Sequence, residues 1–196
     1  MGNKLKKGEY LDVLLRSSKT IFSTKDVALL WEEEKEITVS ARLSKYVRAG
    51  KLLRVRRGLY AKDKNYDKFE LATRIYTPSY ISFETVLAKA GVVFQFYSQI
   101  IIASYVTREV VIDGQTYSYK RIRDSILTNP TGIEAKDNYH IASAERAFLD
   151  VVYSSKDYHF DSLSSLNWDK IFEILSIYNN KSLEKRVKKY HKSINQ

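Results

Sequence analysis

Cysteine is absent from this 196-residue chain, and proline occurs only twice. Without thiols the chain can form neither a disulfide nor a thiolate zinc site, and its composition fits a reducing compartment. Long apolar runs are also lacking, since no stretch reaches the roughly 20 residues of a membrane span. The N-terminal sequence has no apolar core followed by a small-residue cleavage site. We therefore expect a cytoplasmic protein that does not bind membranes.

Recognisable catalytic motifs are missing as well. The three histidines, His140, His159 and His191, are scattered, and no HExxH pair, glycine-rich phosphate loop or nucleophile elbow occurs. Asp157, His159 and Asp161 alternate and would share one face of a strand, but their serine- and asparagine-containing surroundings are typical of a loop. The sequence predicts a protein that is not an enzyme, with no catalytic residues, no metal and no cofactor.

Positive charge is abundant and unevenly distributed. The chain has 33 Lys and Arg against 23 Asp and Glu, a formal net charge of +10. Residues 1–62 contain 15 basic and 7 acidic residues, and residues 181–196 contain 6 and 1, whereas residues 63–180 are net acidic. Clustered cations are what a polyanion-binding surface requires, because phosphate neutralisation releases counterions there. Solubilising lysines, the alternative, would be spread more evenly.

Apolar periodicity predicts three short helices before Gly50. Ser23 or Thr24 can cap the second helix. The acidic run 32–36 is interpreted as the solvated end of that helix, and its negative charge should face away from a polyanion such as DNA. Thr38 is expected to cap the third helix, which Gly50 ends. The apolar positions of that helix recur at one-turn spacing: Val39, Leu43, Tyr46 and Val47.

The apolar period changes to two after Gly50, which predicts a β-hairpin with Arg57 and Gly58 at its turn. Apolar and basic side chains are expected on opposite faces of its first strand: Leu53 and Val55 against Arg54 and Arg56. Three helices and such a wing make a winged helix-turn-helix, whose third helix enters the major groove while the wing lies over the phosphate backbone. The predicted DNA contacts are Thr38, Ser40, Arg42, Ser44, Lys45, Arg48, Arg54, Arg56 and Arg57. A wing used only for protein contacts remains the alternative.

A change of composition at residues 62–65 predicts a domain boundary. We expect an α+β protein, with a winged helix-turn-helix domain at 1–62 followed by a mixed α/β domain at 63–196. The second domain should contain a small β-sheet, including a hairpin with a type I′ turn at Asp113 and Gly114, and terminal helices.

Two charged clusters are candidates for function in the second domain. Glu145 and Asp150 lie about 140° apart around a predicted helix, so they cannot converge on one substrate atom, while Arg146 and Asp150 form an i, i+4 pair. The last helix presents a possible second basic surface that either contacts phosphates or is simply solvated: Arg186, Lys188, Lys189 and Lys192.

Three segments together resemble a known family. The chain contains "YVRAGKLLRVRRGLYA", then "PSYISFETVLAKAG", then a β-rich middle and "IASAERAFLDVVY". This order resembles the AbiEi family, the antitoxins of type IV abortive-infection toxin-antitoxin systems. The helix that carries the glutamate-arginine-alanine motif contains Glu145, Arg146 and Asp150, for which the resemblance allows either an antitoxic or a packing role.

The resemblance implies a division of labour. In this family the winged helix represses the antitoxin-toxin operon by binding inverted repeats upstream, and the C-terminal domain counteracts a nucleotidyltransferase toxin, with no stable complex expected. The chain would then be an autorepressor and antitoxin acting in phage defence. The alternative is a winged-helix DNA-binding regulator or interaction module of another defence locus, without antitoxin activity.

Overall fold

The computed structural model of the protein describes residues 8–95 and 97–194. The chain divides into two compact units, Met1–Ile75 and Tyr76–Gln196. Its fold class is α+β, with N-terminal helices, a sheet-containing unit and C-terminal helices, as the sequence predicts. None of the helices in the described ranges is long and apolar enough to cross a membrane.

The N-terminal unit is built from short helices around a small antiparallel sheet. Its elements are α1 (Glu9–Arg16), β1 (Ile21–Ser23), α2 (Thr24–Leu30), α3 (Glu36–Arg48), β2 (Leu53–Arg56), β3 (Leu59–Ala61) and α4 (Lys68–Ile75). The strands are ordered β1-β3-β2. The buried core joins α1, β1, α2, α3 and β3 through Leu14, Phe22, Val27, Trp31, Val39, Leu43, Leu52 and Tyr60. This is a winged helix in which β1 adds a strand to the predicted hairpin.

A side-chain cap explains where α2 begins, whereas α3 begins without one. Ser23 accepts a hydrogen bond from the Asp26 amide, and the Asp26 carboxylate accepts one from the Ser23 amide, forming a capping box. The prediction that Thr38 caps α3 was wrong: the helix begins two residues earlier, at Glu36, and Lys35 is its N-cap without a side-chain bond. The acidic run 32–36 is therefore the turn between α2 and α3 and the first residue of α3, rather than the end of α2.

Helix α4 belongs to the N-terminal compact unit, which ends at Ile75, whereas the sequence predicts a domain boundary at 62/63. The buried Glu70 carboxylate accepts hydrogen bonds from the Thr20 amide and hydroxyl, at 2.8 and 2.7 Å. Arg74 donates to both carboxylate oxygens of Asp26, at 3.0 and 2.9 Å. Burial alone would raise the pKa of Asp26, but bonds from Ser23 and Lys19 and the charge of Arg74 hold it well below its usual range.

The C-terminal unit has one mixed sheet and several helices. Its elements are β4 (Ser79–Ile81), α5 (Glu84–Lys89), β5 (Ile100–Ser104), β6 (Arg108–Ile112), β7 (Gln115–Arg121), α6 (Asp124–Leu127), β8 (Ile133–Ala135), β9 (His140–Ala142), α7 (Ala144–Ser154), α8 (Trp168–Leu175), a short 3-10 helix (Ser176–Tyr178) and α9 (Lys181–Ile194). The strands are ordered β6-β7-β5-β4-β9-β8. Pairs β4–β9 and β5–β7 are parallel, and the other pairs are antiparallel. The β6–β7 hairpin turns at Asp113 and Gly114, whose φ angles of 48° and 74° are those of the predicted type I′ turn.

Candidate nucleic-acid interface

Helix α3 turns one face toward the core and the opposite face outward. Val39 and Leu43 are completely buried, and Tyr46 and Val47 pack against the same core. Of the predicted DNA contacts on this helix, Ser44, Lys45 and Arg48 are exposed. Their spacing places them on one side of the helix, where they can reach a ligand together.

Thr38, Ser40 and Arg42 are half-buried on the flanks of α3 rather than on its outward face. The guanidinium carbon of Arg42 lies 3.5 Å from the centre of the Tyr10 ring and 5.4 Å from that of Trp31. Arg42 thus makes a cation–π contact with α1. The sequence analysis predicted Arg42 as a DNA contact and did not anticipate its packing on the Tyr10 ring.

Two further exposed residues of α3 are not among the predicted DNA contacts. Ile37 is 86% exposed in the first turn, and Ala41 is exposed one turn later. Both share the outward face with Lys45 and Arg48. The signal that could have identified them is an apolar side chain that falls outside the i, i+4, i+7 stripe of the core.

The wing is fixed to α3 and to α2 by backbone hydrogen bonds. The Lys51 amide donates to the Tyr46 carbonyl at 2.9 Å, just after Gly50, whose φ of 67° allows the chain to leave α3. At the wing tip the Thr24 amide donates to the Gly58 carbonyl at 3.1 Å. The tip is therefore held against the start of α2.

The wing arginines differ in exposure. Arg54 and Arg57 are exposed, while Arg56 is half-buried. The pairing of β2 with β3 shifts register between Arg54 and Arg56, so the strict alternation predicted for this strand fails there. Arg54 and Arg57 are consequently better placed than Arg56 to reach a phosphate.

The glutamate-arginine-alanine motif lies inside the C-terminal unit. Arg146 and Asp150 are completely buried on α7, with the Arg146 Nε 3.5 Å from the Asp150 Oδ1. Arg146 also donates to the carbonyls of Thr131 and Ile126, at 2.8 Å each. Glu145 is buried as well, and its carboxylate accepts a hydrogen bond from the Asn167 amide at 3.3 Å.

Three hydroxyl groups complete the bonding of Asp150. Tyr80, Ser82 and Tyr178 donate to its carboxylate at 3.0, 2.7 and 2.6 Å. Burial and the Asp150 charge raise the pKa values of Tyr80 and Tyr178 well above the usual tyrosine value, so both hydroxyls keep their protons and act as donors. These contacts join α7 to β4 and to the 3-10 helix. The charged groups of the motif are thus bonded within the unit, which favours the packing role.

The predicted second basic surface is only partly free. Arg186 is half-buried and donates to the Val152 carbonyl and the Ser182 hydroxyl, at 2.9 Å each. Lys188, Lys189 and Lys192 are exposed. Arg186 therefore fastens α9 to the end of α7, and the lysines remain available to a ligand.

The alternating Asp157, His159 and Asp161 lie in the irregular segment between α7 and α8, as predicted. The Asp161 carboxylate accepts a hydrogen bond from the Phe94 amide at 2.7 Å. In residues 8–95 and 97–194 no group of three or more His, Asp or Glu side chains could hold a metal ion.

Comparisons with known proteins bear on the two units differently. The family model described as "Transcriptional regulator, AbiEi antitoxin" matches residues 9–61, so the resemblance to that family is confirmed over the winged helix through β3. No curated protein matches the chain. Among solved structures, the chain is similar to the crystal structure of the RV2827C protein from Mycobacterium tuberculosis, with a TM-score of 0.53 and 11% identity over 93% of this chain and 76% of that one. At this identity the likeness concerns the fold, and it spans both units.

Proposed function

We propose that this chain is the antitoxin and transcriptional autorepressor of a type IV toxin-antitoxin system. The observation that carries the proposal is the AbiEi antitoxin match at residues 9–61, the same segment that folds into α1 to α3 and the wing. In this proposal the protein acts in the cytoplasm by binding and not by catalysis. The C-terminal unit counteracts a nucleotidyltransferase toxin without a stable complex.

The exposed groups of the N-terminal unit support operator binding. Helix-turn-helix proteins read base edges with the recognition helix, and here Ser44, Lys45 and Arg48 form its outward polar surface. Ile37 and Ala41 beside them have the apolar character that contacts the thymine methyl group. Inverted repeats would be bound by two copies, one on each half-site.

The wing supplies the phosphate contacts in this proposal. Arg54 and Arg57 are exposed. The backbone hydrogen bonds from Thr24 to Gly58 and from Lys51 to Tyr46 hold the wing in place in the absence of DNA. Arginine suits the role because its planar fork pairs with phosphate oxygens and stays charged.

Operator binding is tested by titrating the protein onto duplex DNA from directly upstream of its own gene and onto scrambled duplex of equal length. Specific sites are typically about 10³-fold or more tighter than nonspecific DNA, and we expect a ratio in that range. Equal, weak binding to both duplexes would contradict autorepression and favour a protein-interaction role for the wing.

Antitoxin activity is tested in cells that express the neighbouring nucleotidyltransferase gene. Co-expression of this chain should restore growth, and a variant that no longer binds the operator should restore it equally well when both genes are driven by unrelated promoters. Failure to rescue by a folded protein would remove the antitoxin half of the proposal and leave the operator half standing.

Arg54→Ala and Arg57→Ala should each weaken the salt dependence of DNA binding. The slope of log K against log [salt] should become less negative by about 0.9, which is the value for one phosphate contact. The effect should be the same on operator and scrambled DNA, because phosphate contacts carry no direct sequence information. Arg16→Ala removes an exposed arginine at the end of α1 and is the matched control. An unchanged slope in both wing variants would exclude the wing from DNA binding.

A further inference from the structure

Strand β6 forms one edge of the C-terminal sheet. In the part of the chain that the structure describes it pairs with β7 alone, over its five residues and without a register shift. The strand at the opposite edge, β8, has only three residues. Natural edge strands are commonly short, bulged or interrupted by proline, because free backbone groups at an edge pair with other strands. β6 has none of these three features.

The type I′ turn of the β6–β7 hairpin determines which backbone groups of β6 face outward. Such a turn is closed by a hydrogen bond between the residues that flank it, so Ile112 and Gln115 form a hydrogen-bonded pair. Hydrogen-bonded and non-hydrogen-bonded pairs alternate along an antiparallel ladder. Counting back from Ile112 to Arg108, every second residue turns its amide and carbonyl toward β7. The amides and carbonyls of Glu109 and Val111 therefore face away from the sheet.

This outward edge of β6 is unpaired. Among residues 8–95 and 97–194, no strand lies against it, and no backbone hydrogen bond reaches Glu109 or Val111 from outside the hairpin. The Val111 side chain is 62% exposed, and Glu109 is exposed beside it. The edge thus offers backbone donors and acceptors next to an apolar side chain, which is the combination that recruits a further strand.

A second copy of β6 fits this edge in antiparallel orientation. When Val110 lies opposite Val110 of the second copy, Glu109 lies opposite Val111 and Arg108 lies opposite Ile112, in both directions. The outward amides and carbonyls of Glu109 and Val111 then pair with each other across the two-fold axis. Each charged side chain faces an apolar one, so no like charges are directly opposite.

The neighbouring registers are less favourable. A shift by two residues in one direction places Glu109 opposite Glu109 of the second copy, and a shift in the other direction places it opposite Asp113. Like charges directly opposite each other destabilise a strand pair. A shift by one residue brings outward backbone groups against groups already bonded to β7. The edge therefore selects the register centred on Val110.

We propose that the free edge of β6 pairs with β6 of a second copy of this chain, so that two C-terminal units associate through one continuous sheet. The same strand contributes to the contact from both copies, as in other two-fold dimers. Paired strands of this length bury less than the roughly 1,200 Å² of stable complexes, so the dimer is weak and forms at roughly 10–100 µM chain. Its formation requires no DNA, and its two-fold symmetry is that of an inverted repeat.

The test is sedimentation velocity of the full chain without DNA, over a concentration series that spans this range. Val111→Glu places a glutamate opposite Glu109 at both ends of the paired strands and should raise the dimer dissociation constant about tenfold. Val111→Lys is the matched variant, because the lysine faces Glu109 and should preserve the dimer. Net charge predicts the opposite order, since the formal charge of +10 falls in the first variant and rises in the second.

Exchanging the two side chains tests the register. Glu109→Lys/Val111→Glu restores opposite charges across the axis and should recover the dimer that Val111→Glu loses. Leu29→Glu is the control, because it adds the same charge at an 80% exposed leucine of the N-terminal unit and should not change dimerisation. Circular dichroism melts verify folding of every variant.

Two results would overturn the proposal. One is a wild-type chain that stays monomeric over the whole series, and the other is a Val111→Glu variant that dimerises as well as the wild type. Loss of the dimer in Val111→Glu without recovery in Glu109→Lys/Val111→Glu would overturn the register and the pairing derived from it. Operator affinity is a separate measurement made with DNA, so failure of the dimer and failure of operator recognition remain distinguishable.

Discussion

Asp150→Ala is expected to destabilise the C-terminal unit by about 3–5 kcal/mol, because it leaves the Arg146 guanidinium buried without its opposite charge. Both side chains are completely buried. The hydroxyls of Tyr80, Ser82 and Tyr178 lose their common acceptor in the same step. Urea denaturation followed by circular dichroism measures the loss.

A second variant separates charge burial from loss of packing. Arg146→Met/Asp150→Leu replaces the pair by apolar side chains and should be more stable than Asp150→Ala, since no charge remains unpaired in the core. If Asp150→Ala instead keeps normal stability but no longer rescues cells from the toxin, the motif acts on a partner and its packing role is secondary.

Lys45→Ala/Arg48→Ala is expected to bring operator affinity close to the affinity for scrambled DNA. A good base contact is worth about 1–3 kcal/mol of discrimination, so two of them account for roughly 2–6 kcal/mol. Both side chains are exposed on the outward face of α3, and the fold should be unaffected. Anisotropy titrations of operator and scrambled duplex give the ratio directly.

Arg42→Ala is the contrasting variant for that experiment. Arg42 lies 3.5 Å from the centre of the Tyr10 ring, so its removal should lower the stability of the N-terminal unit and leave the affinity ratio nearly unchanged. A collapse of the ratio in Arg42→Ala but not in Lys45→Ala/Arg48→Ala would show that the flank of α3, and not its outward face, reads the bases.

The helices of the N-terminal unit could be predicted because their signals are local. The apolar spacing of α3 and the capping pair at Ser23 and Asp26 lie within one or two turns of the chain. Strand β1 was missed for the opposite reason. It has three residues, and its partner β3 lies about 40 positions further on, at Leu59–Ala61.

Exposure was the least predictable property of the candidate site. The register shift in β2 turns Arg56 partly inward, and no glycine marks that bulge in the sequence. Helical spacing correctly paired Arg146 with Asp150. It could not reveal that Tyr80 and Tyr178, 70 and 28 positions away, donate to the same carboxylate, because side-chain partners that distant leave no periodic signal.

The anchoring of α4 determines where the winged helix can be cut from the rest of the chain. Sequence similarity to the antitoxin family ends at Ala61, but a fragment ending there would lose Glu70, whose carboxylate accepts two hydrogen bonds from Thr20, and Arg74, which pairs with Asp26. A hydrogen bond to a charged group contributes about 1.5–3 kcal/mol. The smallest winged-helix fragment that folds by itself is therefore expected to end at Ile75, so the segment that matches the family is shorter than the folding unit that contains it.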